Sequence, residues 1–243
     1  MTDADVSAPR TGAPLPARFA SVVLDVDSTL TAIEGIEWLA AACGPNVARA
    51  VAAMTQRAME GAIPLDSVYG ERLALVRPSV TDVRALAEAY VAAVVPGVVE
   101  ALAKLQAAGV RVVVVSGGVR QAVAPFAAAL GFADGDVSAV SLRFAPDGSY
   151  AGFDTVSPLA RTGGKPVVVR ALGLPRPVLA LGDGSTDAEL KTLADGPGPA
   201  VDAFAAFVGV ASRAPVVAVA DFVVHQFSEL PALVLGVEAP ESV

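Results

Sequence analysis

Two aspartates stand two residues apart at the end of the first apolar run of the chain. This run, Phe19 to Asp27, has the sequence FASVVLDVD and is typical of a buried parallel strand. Because side chains alternate along an extended chain, the carboxylates of Asp25 and Asp27 face the same side. Such a pair suits either metal binding or a nucleophile beside an acid/base, since burial and like charge push the two pKa values apart.

A second apolar run ends in a hydroxyl followed by two glycines. The run Val110 to Ser116 breaks at Gly117-Gly118, after which the pattern indicates a helix. A serine hydroxyl, two permissive glycines and the free N–H groups of a helix start can together hold a phosphate group. We therefore expect a phosphate cradle at this point.

A third apolar run leads to two further carboxylates. The stretch Val178 to Asp183 is followed by Gly184 and a helix start, which also contains Asp187. Carboxylates are hard-oxygen ligands, of the kind that favour Mg²⁺ over zinc. Upstream of this run, Lys165 follows two glycines, heads a predicted helix and adds a positive charge.

The alternation of strands and helices predicts an α/β fold with a doubly wound, Rossmann-like parallel sheet. Two strand-like runs within 137–154 flank Pro146-Asp147-Gly148 and predict an appended β-hairpin. The helices expected in this core, each ending at a glycine, lie at 98–108, 119–130 and 165–172. Further short strands are expected at 206–210 and 222–224.

A helical insertion interrupts the α/β pattern after the first strand. It has no strand-like run, and its position places it above the carboxyl edge of the sheet, where ligands of α/β proteins bind. We therefore expect a disordered tail at 1–18, a core at 19–33 and 95–243, and a helical cap at 34–94. The helices expected in the cap lie at 36–42, 47–60, 65–76 and 80–94.

The composition argues against several classes of protein. A net charge of -8 disfavours a nucleic-acid binder and attachment to an anionic membrane surface. Cys43 and His225 are the only residues of their types, so the chain forms neither an intrachain disulfide nor a zinc site built from several Cys or His. The longest apolar stretches, such as 89–99, are too short to span a membrane, and the early aspartates oppose a transit peptide. We expect a cytoplasmic protein.

Each of these motifs also has an ordinary structural explanation when it is taken alone. An Asp-x-Asp pair is commonly a turn or a helix cap, and Gly-Asp-Gly is an ordinary turn in most proteins. The combination is more informative, because four elements occur in order, each at the carboxyl end of a strand or at the start of a helix. It favours a single chemical site over four unrelated turns.

The ordered motifs resemble those of the haloacid dehalogenase-type phosphatases, and further segments extend the resemblance to the phosphoserine phosphatase family. Four motifs in the core indicate the superfamily, whereas the segments in the helical insertion indicate the substrate. The resemblance extends over residues 20 to 230. The matching segments are 25–29, 34–36, 54–59, 71–75, 116–118, 150–153, 163–165 and 182–187.

The resemblance implies roles for the core carboxylates. Asp25 would attack phosphorus to form an aspartyl-phosphate, and Asp27 would protonate the leaving serine oxygen and later take a proton from water. Mg²⁺ would bind Asp25, the backbone carbonyl of Asp27 and Asp183. Asp187 would support the metal or orient Lys165, which offsets phosphoryl charge.

The same resemblance implies how the substrate is held. Ser116 and Gly117 would bind phosphoryl oxygens. In the cap, Glu34 would meet the substrate ammonium and Arg72 its carboxylate, while Met59 would line the pocket. A cap joined to the core through two chain crossings can hinge over the site and exclude water.

The reaction implied is Mg²⁺-dependent hydrolysis of O-phospho-L-serine, the final step of serine biosynthesis. One alternative is a phosphatase or phosphotransferase acting on another small phosphomonoester, such as phosphothreonine or phosphoethanolamine. Another is a catalytically silent sensor of a phosphorylated ligand, although the intact pair Asp25 and Asp27 argues against it. The sequence leaves the oligomeric state open, with a homodimer as one option.

Overall fold

The strands of the computed structural model, which describes residues 16, 18–192 and 198–237, form two sheets. They are β1 (Ser21–Leu24), β2 (Arg111–Val119), β3 (Val137–Val140), β4 (Leu142–Phe144), β5 (Tyr150–Phe153), β6 (Val178–Gly182), β7 (Ala203–Phe207) and β8 (Phe222–Val224). Six of them form one parallel sheet in the order β3-β2-β1-β6-β7-β8, and β4 and β5 form an antiparallel pair. The expected α/β fold with an appended hairpin is confirmed. Of the tail expected at 1–18, residues 1–15 and 17 lie outside the described part of the chain.

The central strands are covered on both faces, as their apolar composition requires. Every residue of β1 and of β6 is buried. In the parallel register, Leu24 at the end of β1 lies opposite Val114 on one side and Leu181 on the other. The residues that follow β1 and β6 therefore emerge side by side at the carboxyl edge of the sheet.

Helices occupy the connections between the strands. The α-helices of the described residues are α1 (Gly35–Ala41), α2 (Pro45–Met59), α3 (Tyr69–Val76), α4 (Val80–Ala92), α5 (Val98–Ala107), α6 (Arg120–Ala129), α7 (Gly164–Ala171), α8 (Ser185–Thr192), α9 (Ala214–Val217) and α10 (Leu230–Leu235). Helices α1 to α4 follow one another without an intervening strand, where the helical insertion is expected. Within the described ranges, no helix combines the length and the apolar character needed to cross a membrane.

Two chain segments join this helical insertion to the sheet, and they run side by side. Thr31 and Val94 form an isolated antiparallel bridge. The N–H of Ala32 donates to the carbonyl of Ala93 at 2.9 Å, and the N–H of Val95 donates to the carbonyl of Leu30 at 3.0 Å. The insertion is thus tied to the core at one narrow double crossing.

Four local expectations are wrong. The strand expected at 206–210 is β7, which spans Ala203–Phe207 in register with β6. Strand β2 continues through the two glycines to Val119, because Val119 pairs with Val140 of β3 after a register shift. The segment 137–140 is therefore an edge strand of the main sheet and not part of the hairpin. The helix expected at 65–76 is split, since Val68 departs from helical angles between a 3-10 turn and α3.

Candidate active site

A cavity lies between the carboxyl edge of the sheet and the helical insertion. Core residues line one side of it, and residues of α1, α2 and α3 line the other. The cavity brings together eight of the ten residues expected at the site, namely Asp25, Asp27, Glu34, Met59, Arg72, Gly117, Lys165 and Asp183. The remaining two, Ser116 and Asp187, are buried and do not line it.

Lys165 lies between two carboxylates. Its Nζ atom is 2.8 Å from Oδ1 of Asp25 and 2.6 Å from Oδ1 of Asp187. Burial alone would lower the pKa of Lys165, but the charges of Asp187 and Asp25 more than offset burial and hold this pKa above its usual value. The lysine is therefore a fixed positive charge beside the carboxylate of Asp25.

Three carboxylates form a cluster that fits a divalent cation. Asp25, Asp183 and Asp187 each offer an oxygen, and these oxygens lie within 4.8 Å of one another. Oδ1 of Asp25 and Oδ2 of Asp183 are buried, and each contacts a cationic side chain, Lys165 and Arg213 respectively. Buried carboxylate oxygens gathered in an all-oxygen set match the ligands of hard cations. The side chain of Asp27 is not part of this cluster.

The carboxylate of Asp27 is held by two donors on one oxygen. Its Oδ1 atom accepts a hydrogen bond from the N–H of Gly35 at 2.7 Å and another from the hydroxyl of Tyr90 at 2.5 Å. Burial, together with the negative charges of Glu34 and Asp25, raises the pKa of Asp27 to about 7. A carboxyl group in this environment is able to give and to take a proton near neutral pH.

Glu34 stands at the entrance of the helical insertion, just before α1. Its Oε1 atom accepts a hydrogen bond from the hydroxyl of Ser28 at 2.8 Å and lies 3.3 Å from Nη2 of Arg213. Arg213 also contacts the carboxylate of Asp183 through Nη1. Burial raises the pKa of Glu34, although Ser28 and Arg213 oppose this effect. One arginine thus joins the insertion to the carboxylate cluster.

Arg72 of α3 is a buried guanidinium that faces the cavity. Its Nη1 atom donates to the hydroxyl of Thr55 at 2.9 Å, and its carbon lies 5.6 Å from the centre of the Tyr69 ring. The Nε atom has no hydrogen-bond partner among the described residues, and no carboxylate there forms an ion pair with Arg72. Burial lowers the pKa of Arg72. An unpaired buried cation of this kind favours an anionic ligand.

The expected phosphate cradle has a different geometry from the prediction. The hydroxyl oxygen of Ser116 accepts a hydrogen bond from the N–H of Gly118 at 2.9 Å, within an extended strand and not at a helix start. The carbonyl of Gly117 accepts a hydrogen bond from the hydroxyl of Tyr69 at 2.8 Å. Gly117 and Gly118 line the cavity, and Ser116 is buried next to them.

Met59 contributes a wall at the end of α2. Its Sδ atom lies close to Gly184, where a Cβ atom would come within 2.9 Å of the sulfur. Nearby, the hydroxyl of Ser185 donates to the carbonyl of Ala58 at 2.8 Å. The end of α2 is therefore packed directly on the loop that carries Asp183.

Sequence reasoning missed several residues that surround these groups. Tyr69 and Tyr90 reach the site from helices of the insertion, and neither stands in a motif that marks it. Arg213 is a single charged residue directly after the uncharged stretch 208–212, and this is the one signal that the sequence offers for it. Thr55 lies within the matching segment 54–59, but no role was assigned to it.

Comparisons with known proteins identify the family of the chain. The family model for haloacid dehalogenase-like hydrolases matches residues 22–190. The chain is 39% identical over 213 residues to the phosphoserine phosphatase of Mus musculus, covering 86% of this chain and 91% of that protein. It is 37% identical over 213 residues to the chloroplastic phosphoserine phosphatase of Arabidopsis thaliana, covering 86% of this chain and 70% of that protein.

Solved structures share the fold. A phosphoserine phosphohydrolase-like protein from Francisella tularensis superposes with a TM-score of 0.81 at 23% identity, covering 88% of this chain and 99% of that one. A phosphoserine phosphatase solved as a phospho-aspartyl intermediate analogue superposes with a TM-score of 0.71 at 23% identity, covering 86% of this chain and 94% of that one. The chain belongs to the haloacid dehalogenase-like hydrolases, in the branch that contains the curated phosphoserine phosphatases.

Proposed function

We propose that this chain hydrolyses O-phospho-L-serine to L-serine and phosphate through an aspartyl-phosphate on Asp25, with Mg²⁺ as the cation. The observation that carries the proposal is that the unpaired guanidinium of Arg72 lines the same cavity as Asp25 and Lys165. The phosphate of the ligand would bind beside Asp25 and Lys165 of the core, and a second anionic group of the ligand would bind Arg72. The similarity to curated phosphoserine phosphatases supports the same substrate.

In the first half of the reaction, a carboxylate oxygen of Asp25 forms a bond to phosphorus as the bond from phosphorus to the serine oxygen breaks. The carboxyl group of Asp27 gives its proton to that leaving oxygen. The fixed charge of Lys165, beside Asp25, offsets the negative charge of the transferring phosphoryl group. Asp25, Asp183 and the carbonyl of Asp27 would hold the cation, which would supply positive charge that reduces the repulsion between nucleophile and phosphate.

In the second half, water attacks phosphorus and the bond between phosphorus and Asp25 breaks. Asp27, now ionised, takes a proton from that water. Phosphate leaves, Asp25 is regenerated as a carboxylate, and Asp27 is again protonated. No histidine is needed, which agrees with a chain whose single histidine, His225, lies outside the cavity.

The proposed substrate contacts divide between the two parts of the chain. Arg72 binds the substrate carboxylate, and Glu34 binds the ammonium through the face of its carboxylate that lines the cavity. Met59 forms an apolar wall. Gly117 and the neighbouring Ser116 bind phosphoryl oxygens.

We further propose that residues 34–94 act as a cap domain on a core formed by 19–33 and 95–243. The double crossing at Thr31 and Val94 supports a hinge there, because few backbone bonds join the two parts. Direct contacts then hold the cap on the core, such as the bond from Tyr69 to the Gly117 carbonyl. A cap of this kind excludes water from the aspartyl-phosphate until serine has left.

The test is release of inorganic phosphate from O-phospho-L-serine, measured with Mg²⁺ and with EDTA. We expect turnover with Mg²⁺ and its loss in EDTA. Asp25→Asn keeps the shape of the nucleophile but removes its charge, and we expect it to abolish turnover while the far-UV circular dichroism stays unchanged. Phosphoethanolamine, which lacks the carboxylate, should be a poor substrate. Equal turnover of the two substrates would contradict the role of Arg72, and an active Asn variant would contradict the role of Asp25.

A further inference from the structure

Tyr90 is a cap residue whose hydroxyl reaches the acid/base carboxylate of the core. It lies on the last turn of α4, four positions before Val94 of the hinge, and its side chain is fully buried. Its hydroxyl is 2.5 Å from Oδ1 of Asp27, and its ring packs on Phe126 with centroids 5.5 Å apart. The hydroxyl oxygen and the ring are thus both held in place.

The backbone around Tyr90 is anchored to the core at the same point. The hydroxyl of Thr31 donates to the carbonyl of Tyr90 at 3.3 Å and to the carbonyl of Ala93 at 3.1 Å. The position of Tyr90 is therefore set by backbone that is bound to the hinge segment, and not by a contact at the flexible end of a long side chain.

The two oxygens of Asp27 differ in their surroundings. Oδ1 accepts from both Gly35 and Tyr90, whereas none of the described residues donates a hydrogen bond to Oδ2. Oδ2 faces Gly118 on the wall of the cavity, where a Cβ atom would come within 2.9 Å of it. An oxygen that already accepts two hydrogen bonds is the poorer site for a proton, so the proton belongs on Oδ2.

The space around this contact is matched to the tyrosine. A Cβ atom at position 35 would overlap the hydroxyl of Tyr90 and would come within 3.1 Å of Oδ1 of Asp27. Gly35 has ordinary helical geometry at the start of α1, so its lack of a side chain is explained by the close approach and not by backbone strain.

From this geometry we infer that Tyr90 is a positioning residue for acid/base catalysis: it fixes Asp27 so that Oδ2, facing the substrate, is the oxygen that gives and takes the proton. The inference rests on the proposed function. In the first half-reaction the proton on Oδ2 passes to the serine oxygen as its bond to phosphorus breaks, and in the second Oδ2 takes a proton from water.

Tyr90→Phe separates this role from a purely structural one. Serine needs a proton to leave, whereas acetate from acetyl phosphate, or nitrophenolate from p-nitrophenyl phosphate, leaves as a stable anion. General acid catalysis contributes about 10²–10⁴-fold, and we expect the variant to lose about tenfold in single-turnover release of serine. Release from the activated substrates should change much less, and KM for O-phospho-L-serine should stay close to that of the wild type.

Two further variants control for folding and for shape. Tyr69→Phe also removes a buried cap hydroxyl that donates to the core. It should leave unchanged the ratio of the rate on O-phospho-L-serine to the rate on an activated substrate. Gly35→Ala should reproduce the selective loss of serine release expected for Tyr90→Phe, because the added methyl group displaces the same hydroxyl. The double variant of Gly35→Ala and Tyr90→Phe should therefore release serine no more slowly than Gly35→Ala alone.

The outcomes are distinguishable. If wild type releases no phosphate from O-phospho-L-serine, the proposed function fails. If wild type is active and Tyr90→Phe slows both classes of substrate equally, or neither, the positioning role is overturned and the proposed function stands. If thermal unfolding shows that Tyr90→Phe does not fold, the same comparison of substrates in Gly35→Ala decides the question.

Discussion

Arg213 links Glu34 of the proposed cap to Asp183 of the carboxylate cluster. Nη2 of the arginine lies 3.3 Å from Oε1 of Glu34, and Nη1 contacts Oδ2 of Asp183. Among the described residues, Arg213 is the only charged partner of this Asp183 carboxylate. A divalent cation bound at the carboxylate cluster would therefore share Asp183 with Arg213.

Arg213→Gln should make the protein more dependent on Mg²⁺ for stability. Breaking a buried ion pair costs about 3–5 kcal/mol, so the melting temperature in EDTA should fall. In this variant the cation is the only positive charge left to neutralise Asp183. Added Mg²⁺ should therefore raise the melting temperature more than it does in the wild type. Differential scanning fluorimetry over a Mg²⁺ titration measures both effects.

The control is Arg176→Gln, which removes an exposed ion pair with Asp202 and should change neither the melting temperature in EDTA nor its rise with Mg²⁺. The same Mg²⁺-dependent rise in wild type and Arg213→Gln would contradict the link.

Arg72→Lys should impair recognition of the substrate carboxylate while leaving the chemistry intact. A lysine keeps the charge but loses the two-pronged geometry of the guanidinium, and the loss of a charged hydrogen bond of about 1.5–3 kcal/mol corresponds to about 10–100-fold in KM. Steady-state kinetics on O-phospho-L-serine measure this change. Phosphoethanolamine is the control substrate, and its turnover should not change. Arg77→Lys, at an exposed arginine that stacks on the ring of Tyr150, is the control variant. A fall in kcat at unchanged KM would rule out the recognition role.

The fold and the core of the site are predictable from the sequence for one physical reason. Parallel strands bury both faces, so each strand is a continuous apolar run, and the carboxyl ends of such strands meet at one edge of the sheet. Asp25 and Asp183 follow two adjacent strands and meet as expected.

The residues that surround this core are not predictable in the same way. Tyr90 meets Asp27 across 63 positions of the chain, and Arg213 meets Glu34 across 179, through contacts that no local pattern encodes. The continuation of β2 through Gly117 depends on its pairing with β3, which is also a long-range contact. Sequence patterns therefore predict where a chain turns, whereas packing between distant elements decides what lies around the turn.

Gly182→Ala should damage both stability and activity. A Cβ atom at position 182 would overlap the carboxylate of Asp187, which holds Lys165 in place. Overpacking of this kind costs about 1–3 kcal/mol, and a displacement of about 1 Å at a catalytic group can cost about 100-fold in rate. Urea unfolding and phosphate release measure the two effects. Gly135→Ala is the matched control, because a Cβ atom there meets no atom within 4 Å. Wild-type activity in Gly182→Ala would show that the position of Asp187 does not matter to the reaction.

Ser79→Ala should lower stability without changing catalysis. Ser79 caps α4: its hydroxyl accepts from the N–H of Asp82 at 3.2 Å, and the carboxylate of Asp82 accepts from the N–H of Ser79 at 2.8 Å. Loss of such a cap costs about 1 kcal/mol, which urea unfolding resolves as a lower midpoint. Since Tyr90 stands at the other end of α4, eleven positions further along, fraying of the first turn leaves its contact with Asp27 in place, and kcat should stay at the wild-type value. Ser149→Ala, at an exposed serine outside any helix, should change neither quantity. If kcat fell in Ser79→Ala in step with stability, the whole of α4, and not Tyr90 alone, would control the acid/base carboxylate.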